Sequence, residues 1–126
     1  MTELILIWDG EDAGEQAGPD VGDIQRRISG LNGAGRTLVM LERDGATFAV
    51  GGSQRGVIAY LEDTDGEFWQ VLSTGSTSDE VVEVVAGGQP GEYPSRVVTS
   101  PDAAMIAASE FARSGGRSDQ VGWEQG

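Results

Sequence analysis

The stretch from Arg96 to Trp123, RVVTSPDAAMIAASEFARSGGRSDQVGW, reads as a strand, a capped helix, a glycine stop and an aromatic that folds back. Ser100 stands at the N-cap. Pro101 follows at the first helical position, where its missing N–H costs nothing, and Asp102 puts negative charge on the positive end of the helix dipole. Ala104, Ala107, Ala108 and Phe111 recur at i, i+3, i+4 and i+7 and so share one face, and Gly115 with Gly116 supplies a left-handed stop. Alanines let a helix axis approach a sheet closely. The pattern therefore predicts a helix laid on a sheet, with Phe111 as its one bulky plug and Met105 and Ile106 on the flanks. Trp123, beyond the stop, is expected to be buried against the helix face that carries Phe111.

Working upstream, the sheet on which this helix would lie is legible as strands separated by turn signals. Arg36 to Glu42 (RTLVMLE) and Ala46 to Val50 (ATFAV) flank Arg43-Asp44-Gly45, and an Asp-Gly between two β-rich runs signals a hairpin. Val57 to Glu62 (VIAYLE) and Glu67 to Ser73 (EFWQVLS) are joined by Asp63-Thr64-Asp65-Gly66, which completes a four-stranded antiparallel meander. Along VIAYLE, Ile58, Tyr60 and Glu62 share one face and Val57, Ala59 and Leu61 the other, and Phe68 alternates with Trp69. One of these faces receives the C-terminal helix. Leu4 to Trp8 (LILIW) is continuously apolar, as in a strand covered on both faces. Asp9 to Asp23 holds six acids and no base, is broken by Gly10, Gly14, Gly18 and Pro19, and reads as a flexible acidic loop. A short helix through Ile24, Ile28 and Leu31 follows, capped by Asp20 or Asp23, with Arg26 and Arg27 outward and a stop at Gly30 to Gly33. Val81 to Ala86 (VVEVVA) reads as a short strand, GGQPGEYP as a loop, and Val97 with Val98 as the strand that opens the closing unit. The expected architecture is α+β, a single domain over residues 1–126: an antiparallel β-meander sheet with an N-terminal helix and a C-terminal helix packed on it.

Composition narrows the function. The chain has 126 residues, with 38% hydrophobic and 23% charged, so one core of ordinary size is expected. It has no cysteine and no histidine, which removes disulfides, thiolate metal sites and the commonest general base. The opening MTELILIWDGEDAGE has a five-residue apolar run and no basic segment, so neither a signal peptide nor a membrane span is expected, and a cytoplasmic location follows. Net charge is −13, from 21 acids against 8 arginines and no lysine. Such a surface repels nucleic acid and steers a basic protein towards it, although acidity also simply keeps a protein soluble.

Four motifs invite a chemical reading, and each has a plainer alternative. Gly51-Gly52-Ser53-Gln54-Arg55-Gly56 superficially resembles a phosphate cradle but lacks the Gly-Lys-Ser/Thr ending and joins two strands instead of opening a helix. Asp63, Asp65 and Glu67 alternate around a glycine like the start of a calcium loop, yet the twelfth position is Thr74 and the flanks are strands, so an exposed acidic turn is expected. Among carboxylates, Glu62 and Glu110 are the ones embedded in apolar stretches, as a general acid with a raised pKa would be, and both read as rim residues. No serine has a base or a nucleophile-elbow motif to activate it. Catalytic residues, metal ligands and cofactors are therefore all expected to be absent, and the protein is not expected to be an enzyme.

The spacing of Val97 and Val98, Ala107 or Ala108, Phe111, Gly115 or Gly116, Arg117, Val121 and Trp123 resembles the C-terminal signature of the Imm family one immunity proteins of bacterial polymorphic toxin systems. The central segment FAVGGSQRGVIAYLEDTDGEFWQVLSTGS is similar to that family's pattern of a strand ending at glycine, a tyrosine-bearing strand and a Gly-x-x-Trp turn, here Gly66 to Trp69. The resemblance covers Leu38 to Trp123. Ser118 departs from it, since the family usually has proline after the arginine.

The resemblance implies a small α+β domain, encoded beside a toxin, that binds the toxin's catalytic domain and blocks it. The partners of such domains are often nucleic-acid deaminases. The domain would be monomeric alone and touch neither nucleic acid nor membrane. Phe111, Arg117 and Trp123 read as architecture. The partner surface is expected at acidic groups borne on turns with an aromatic nearby: Asp63, Asp65 and Glu67 with Trp69, joined by Glu92 and Tyr93. The Asp9 to Asp23 loop is second choice, because ordering its glycines on binding costs entropy. Two rival classes share these features: a regulatory or scaffold module unrelated to toxins, and a small-molecule enzyme whose pocket would hold a perturbed carboxylate or tyrosine.

Overall fold

At the Asp44-Gly45 turn φ is 51° and 84°, the positive pair that a two-residue type I′ hairpin needs. This turn joins β3 (Leu38–Arg43) to β4 (Ala46–Ser53). In the computed structural model, which describes residues 3–73 and 80–126, β5 (Gly56–Glu62) and β6 (Phe68–Val71) continue the meander as the alternation predicts. Thr74 lies outside the described residues. β1 (Leu4–Trp8) pairs with β3 on one flank, and β2 (Gly14–Ala17) and β9 (Trp123–Gln125) form the two edges. The seven-stranded sheet has the order β2-β1-β3-β4-β5-β6-β9 and is antiparallel throughout.

Two helices cover one face of this sheet. Helix α2 (Pro101–Ser114) starts where Ser100 Oγ accepts from the Ala103 amide at 3.1 Å and ends at Gly115, whose φ of 77° turns the chain left-handed. Ala104, Ala107, Ala108 and Phe111 are buried as the spacing requires. The Phe111 ring lies on that of Phe48 in β4, centroids 5.9 Å apart. Ile106, on the flank of the stripe, is 40% exposed. Helix α1 (Val21–Ser29) is held by a capping box between Asp20 and Asp23 and buries Ile24 and Ile28 in the same core. It stops at Gly30, one residue short of Leu31, which is buried in the turn that follows. Arg27 does not point outward: its guanidinium stacks 3.6 Å over the Trp8 ring.

Several expected loops are ordered otherwise. The acidic segment after Asp9 contains the edge strand β2, because its Gly14 to Ala17 backbone completes the ladder of β1. GGQPGEYP is not a loop either. Gly87 and Gly88, at φ of 62° and 77°, turn β7 (Val81–Ala86) directly into β8 (Gln89–Pro94), giving a separate two-stranded hairpin. Val97 and Val98 open no strand: Ser95–Val97 is a single 3-10 turn, and only Thr99 bridges back to Val57. Trp123 is half-buried on the edge strand β9 instead of enclosed against Phe111, and its Nε1 donates to the Ser118 carbonyl at 2.8 Å.

The hairpin sits on the sheet face opposite the helices, over β4 and β5, where Ala49, Ile58 and Val84 are buried apart from the main core. It approaches so closely because position 51 is glycine: a Cβ there would lie 2.4 Å from the Cβ of Ala86. Asp9 locks the same corner. Its carboxylate accepts from the Thr37 and Leu38 amides at 2.8 and 2.9 Å and from Thr37 Oγ1, and that hydroxyl in turn accepts from the Gly88 amide at 2.8 Å. One buried threonine thus ties the end of β1, the start of β3 and the hairpin turn together.

Candidate partner-binding surface

The acidic turn between β5 and β6 is built by its own first residue. Asp63 Oδ1 accepts from the Asp65 and Glu67 amides, each at 3.0 Å, while Gly66 takes φ of 80°. Asp63 is therefore the internal staple of the turn, and Asp65 and Glu67 are its exposed carboxylates. Among the described residues no group of three or more acids is arranged to hold a metal ion.

The six residues that sequence reasoning grouped do not all meet. Trp69 projects from β6 toward the helices, since it pairs with Leu61 of the core. Arg117 stacks 3.6 Å over its ring, and its buried Nε1 has no hydrogen-bond partner among the described residues. Phe68, one residue earlier, takes the opposite face and packs against Tyr60, the rings tilted by 33° with centroids 4.9 Å apart. Glu92 and Tyr93 come from β8 on that same face of the molecule. The phenol of Tyr60 is held above its ordinary value of 10.0, first by burial and then by the nearby charges of Glu62 and Tyr93. Tyr93 therefore reaches the Tyr60 neighbourhood, whereas Trp69 is turned away from it.

Tyr60, Glu62 and Phe68 lie on this candidate surface and were not among the six residues grouped from the sequence. Their shared face was visible in the two-residue alternation, but not which face the helices would occupy. The competing N-terminal acids are largely engaged within the molecule: Asp12 pairs with Arg27 and Arg36 at 3.5 and 3.6 Å, Asp23 with Arg26, and Asp9 with the Thr37 corner. Glu62, Asp65, Glu67 and Glu92 are exposed and make no ion pair among the described residues.

The features that would serve chemistry point elsewhere. Hydrogen bonds from Arg113 first, then from Ser114, hold Glu110 below its ordinary 4.5, the reverse of what a general acid at neutral pH needs. The Gly51 to Gly56 segment is a hairpin connection, and Gln54 Nε2 donates to the Ile28 and Leu31 carbonyls, both at 3.0 Å, fastening it to the end of α1. A groove of about 500 Å³ lies between this connection and β7, and none of the groups with a shifted pKa lines it.

An antiparallel sheet backed by two helices, with acidic and aromatic side chains on its other side, makes this a small α+β protein. The model of the family described as Immunity protein Imm1 matches residues 5–125, and the chain belongs to that family. No curated protein matches the chain.

Proposed function

We propose that this protein acts by binding, as an immunity protein that neutralises one cognate toxin domain through direct contact, and that the toxin is a basic, nucleic-acid-acting enzyme, with a deaminase the first candidate. Family membership supports the antitoxin role. The observation that carries the finer reading is the set of exposed carboxylates without ion-pair partners, Glu62, Asp65, Glu67 and Glu92, standing beside Tyr60, Phe68 and Tyr93. Carboxylates so placed stand in for the phosphates of a substrate, steer a basic partner and pair with its arginines and lysines. Asp63 contributes by holding the turn and Trp69 by anchoring β6, each through the partners described above. The site of action is the cytoplasm, where a self-toxin would meet its target.

The test is stoichiometric inhibition. The toxin domain encoded by the adjoining gene, assayed on single- and double-stranded nucleic acid, should lose its activity at one equivalent of this protein, with an association rate that falls as salt rises. Full toxin activity at tenfold excess would overturn the reading.

A further inference from the structure

We infer that the toxin docks on the part of the helix-free face of the seven-stranded sheet that the β7–β8 hairpin leaves open, across β1, β3, β4, β5 and β6, with apolar contact centred on Met40 and Tyr60 and with lysine or arginine side chains seated on Glu42 and Glu62. This deepens the immunity reading and rests on it.

Residues directly opposite one another in antiparallel strands project from the same face. Ile7 stands opposite Met40, Met40 opposite Ala49, and Ala49 opposite Tyr60, so these four form one continuous row. Two residues along each strand runs a second row: Ile5, Glu42, Thr47, Glu62 and Phe68. The rows lie about 7 Å apart, and five strands span about 19 Å, the dimensions of a small interface core. The opposite face carries Leu6, Leu41, Phe48 and Leu61 into the helices.

The hairpin covers one end of this face, where Ala49 and Ile58 are buried, and leaves the rest open. The β7–β8 hairpin closes over the neighbouring positions Gly51 and Ile58, and the Arg96–Glu124 ion pair, at 2.9 Å, closes the β9 flank. Beside them Ile7, Met40, Tyr60 and Phe68 are half-buried, each with part of its side chain in solvent, and Glu42 and Glu62 are exposed. A sheet face turned to water ordinarily carries polar residues at these alternating positions. The continuously apolar LILIW run anticipates a covering on both sides of β1, and only the helix side has one among the described residues. Apolar and aromatic side chains in the middle with charges at the margin are the anatomy of a protein interface.

Charge selects the occupant. A second copy of this chain would bring Glu42 and Glu62 against their own counterparts, whereas a basic partner turns the same carboxylates to advantage. A shallow depression of about 310 Å³ at the edge of the second row has Ile5 and Thr47 in its floor and Glu3 and Glu42 at its rim. An arginine laid there would place its stem on Ile5 and its guanidinium on the carboxylates. Arg43 also borders the depression, but its Nη1 is spent on the Ala112 carbonyl at 2.6 Å.

The experiment measures binding to the toxin domain encoded by the adjoining gene at two salt concentrations, with circular dichroism as the folding control. Glu42→Lys/Glu62→Lys and, separately, Met40→Asp should each bind at least about tenfold more weakly. Glu11→Lys/Asp119→Lys, with the same change of charge at exposed positions off this face, should stay within about twofold of the wild type. Wild-type affinity in the folded face variants overturns this surface and leaves the immunity reading standing, while failure of the wild-type protein to bind overturns both. Should the face variants not fold, Thr47→Cys provides the single thiol of a chain that has none: bound toxin should slow its labelling at least about tenfold, and an unchanged rate overturns the proposal. A wild-type dimer that Met40→Asp dissociates would give the face to a second copy and overturn it likewise.

Discussion

Phe111 of α2 and Phe48 of β4 stack with their ring planes inclined by 29°, and each is about 1% exposed or less. This pair is where the helix layer and the sheet meet, because the alanines around Phe111 bring the helix axis down to the strands. Phe111→Ala should lower the unfolding free energy by about 3–5 kcal/mol in urea titration. Phe48→Ala should do the same. The double variant should lose less than the two losses added together, because both substitutions enlarge one shared cavity.

Trp123 should matter less than Phe111. It is half-buried on an edge strand and held by one hydrogen bond to Ser118. Trp123→Ala should therefore lower stability by about 1–3 kcal/mol, from partial apolar burial and the lost hydrogen bond. Equal losses for Trp123→Ala and Phe111→Ala would show that the tryptophan does close the core.

Asp9 predicts a pH dependence. Burial pushes its carboxyl up, but the hydrogen bonds from the Thr37 hydroxyl and the Thr37 and Leu38 amides together outweigh that and leave it below its ordinary 3.8. A group whose pKa is depressed by folding contributes stability that is fully present above the ordinary value and is lost as pH falls through the folded one. Stability should therefore fall as the solution is acidified below pH 3.8. Asp9→Asn should be less stable at neutral pH by about 1–2 kcal/mol, the lower part of the usual range for a partly solvated acceptor. It should also show a weaker acid dependence in denaturant titrations at stepped pH.

Gly51 and Ala86 predict a rescue. Since a Cβ at position 51 would meet that of Ala86 at 2.4 Å, Gly51→Ala should lift the β7–β8 hairpin and speed amide hydrogen exchange in Val81 to Ala86. Ala86→Gly should restore protection when combined with it, because it removes the opposing atom. Slow exchange in Gly51→Ala alone would mean that the hairpin does not depend on this contact.

Much of this architecture was legible in the sequence where its signals act within a few residues. The Ser100 cap, the alanine stripe, the Gly115 stop and the Asp44-Gly45 turn are each decided by backbone sterics or hydrogen bonds spanning at most a helical turn, and each stands where the sequence places it. The four-stranded meander followed from the same kind of information, since short turns leave adjacent strands little choice but to pair. So did the acidic balance of the chain, which needs no coordinates at all.

Tertiary structure decided what depends on neighbours distant in sequence. Gly14 to Ala17 and Trp123 to Gln125 carry weak strand signals of their own. They become strands because β1 and β6 offer unpaired edges whose amides and carbonyls need partners. Gln89 to Pro94 pairs with β7 for the same reason, despite its glycine and prolines. Alternation showed that Trp69 and Phe68 point opposite ways, but only the docking of α2 determined that Trp69 faces the helices and Phe68 the solvent, because a period of two is symmetric until something covers one side. That choice separated Trp69 from the acidic turn and set Tyr60, Glu62 and Phe68 in its place.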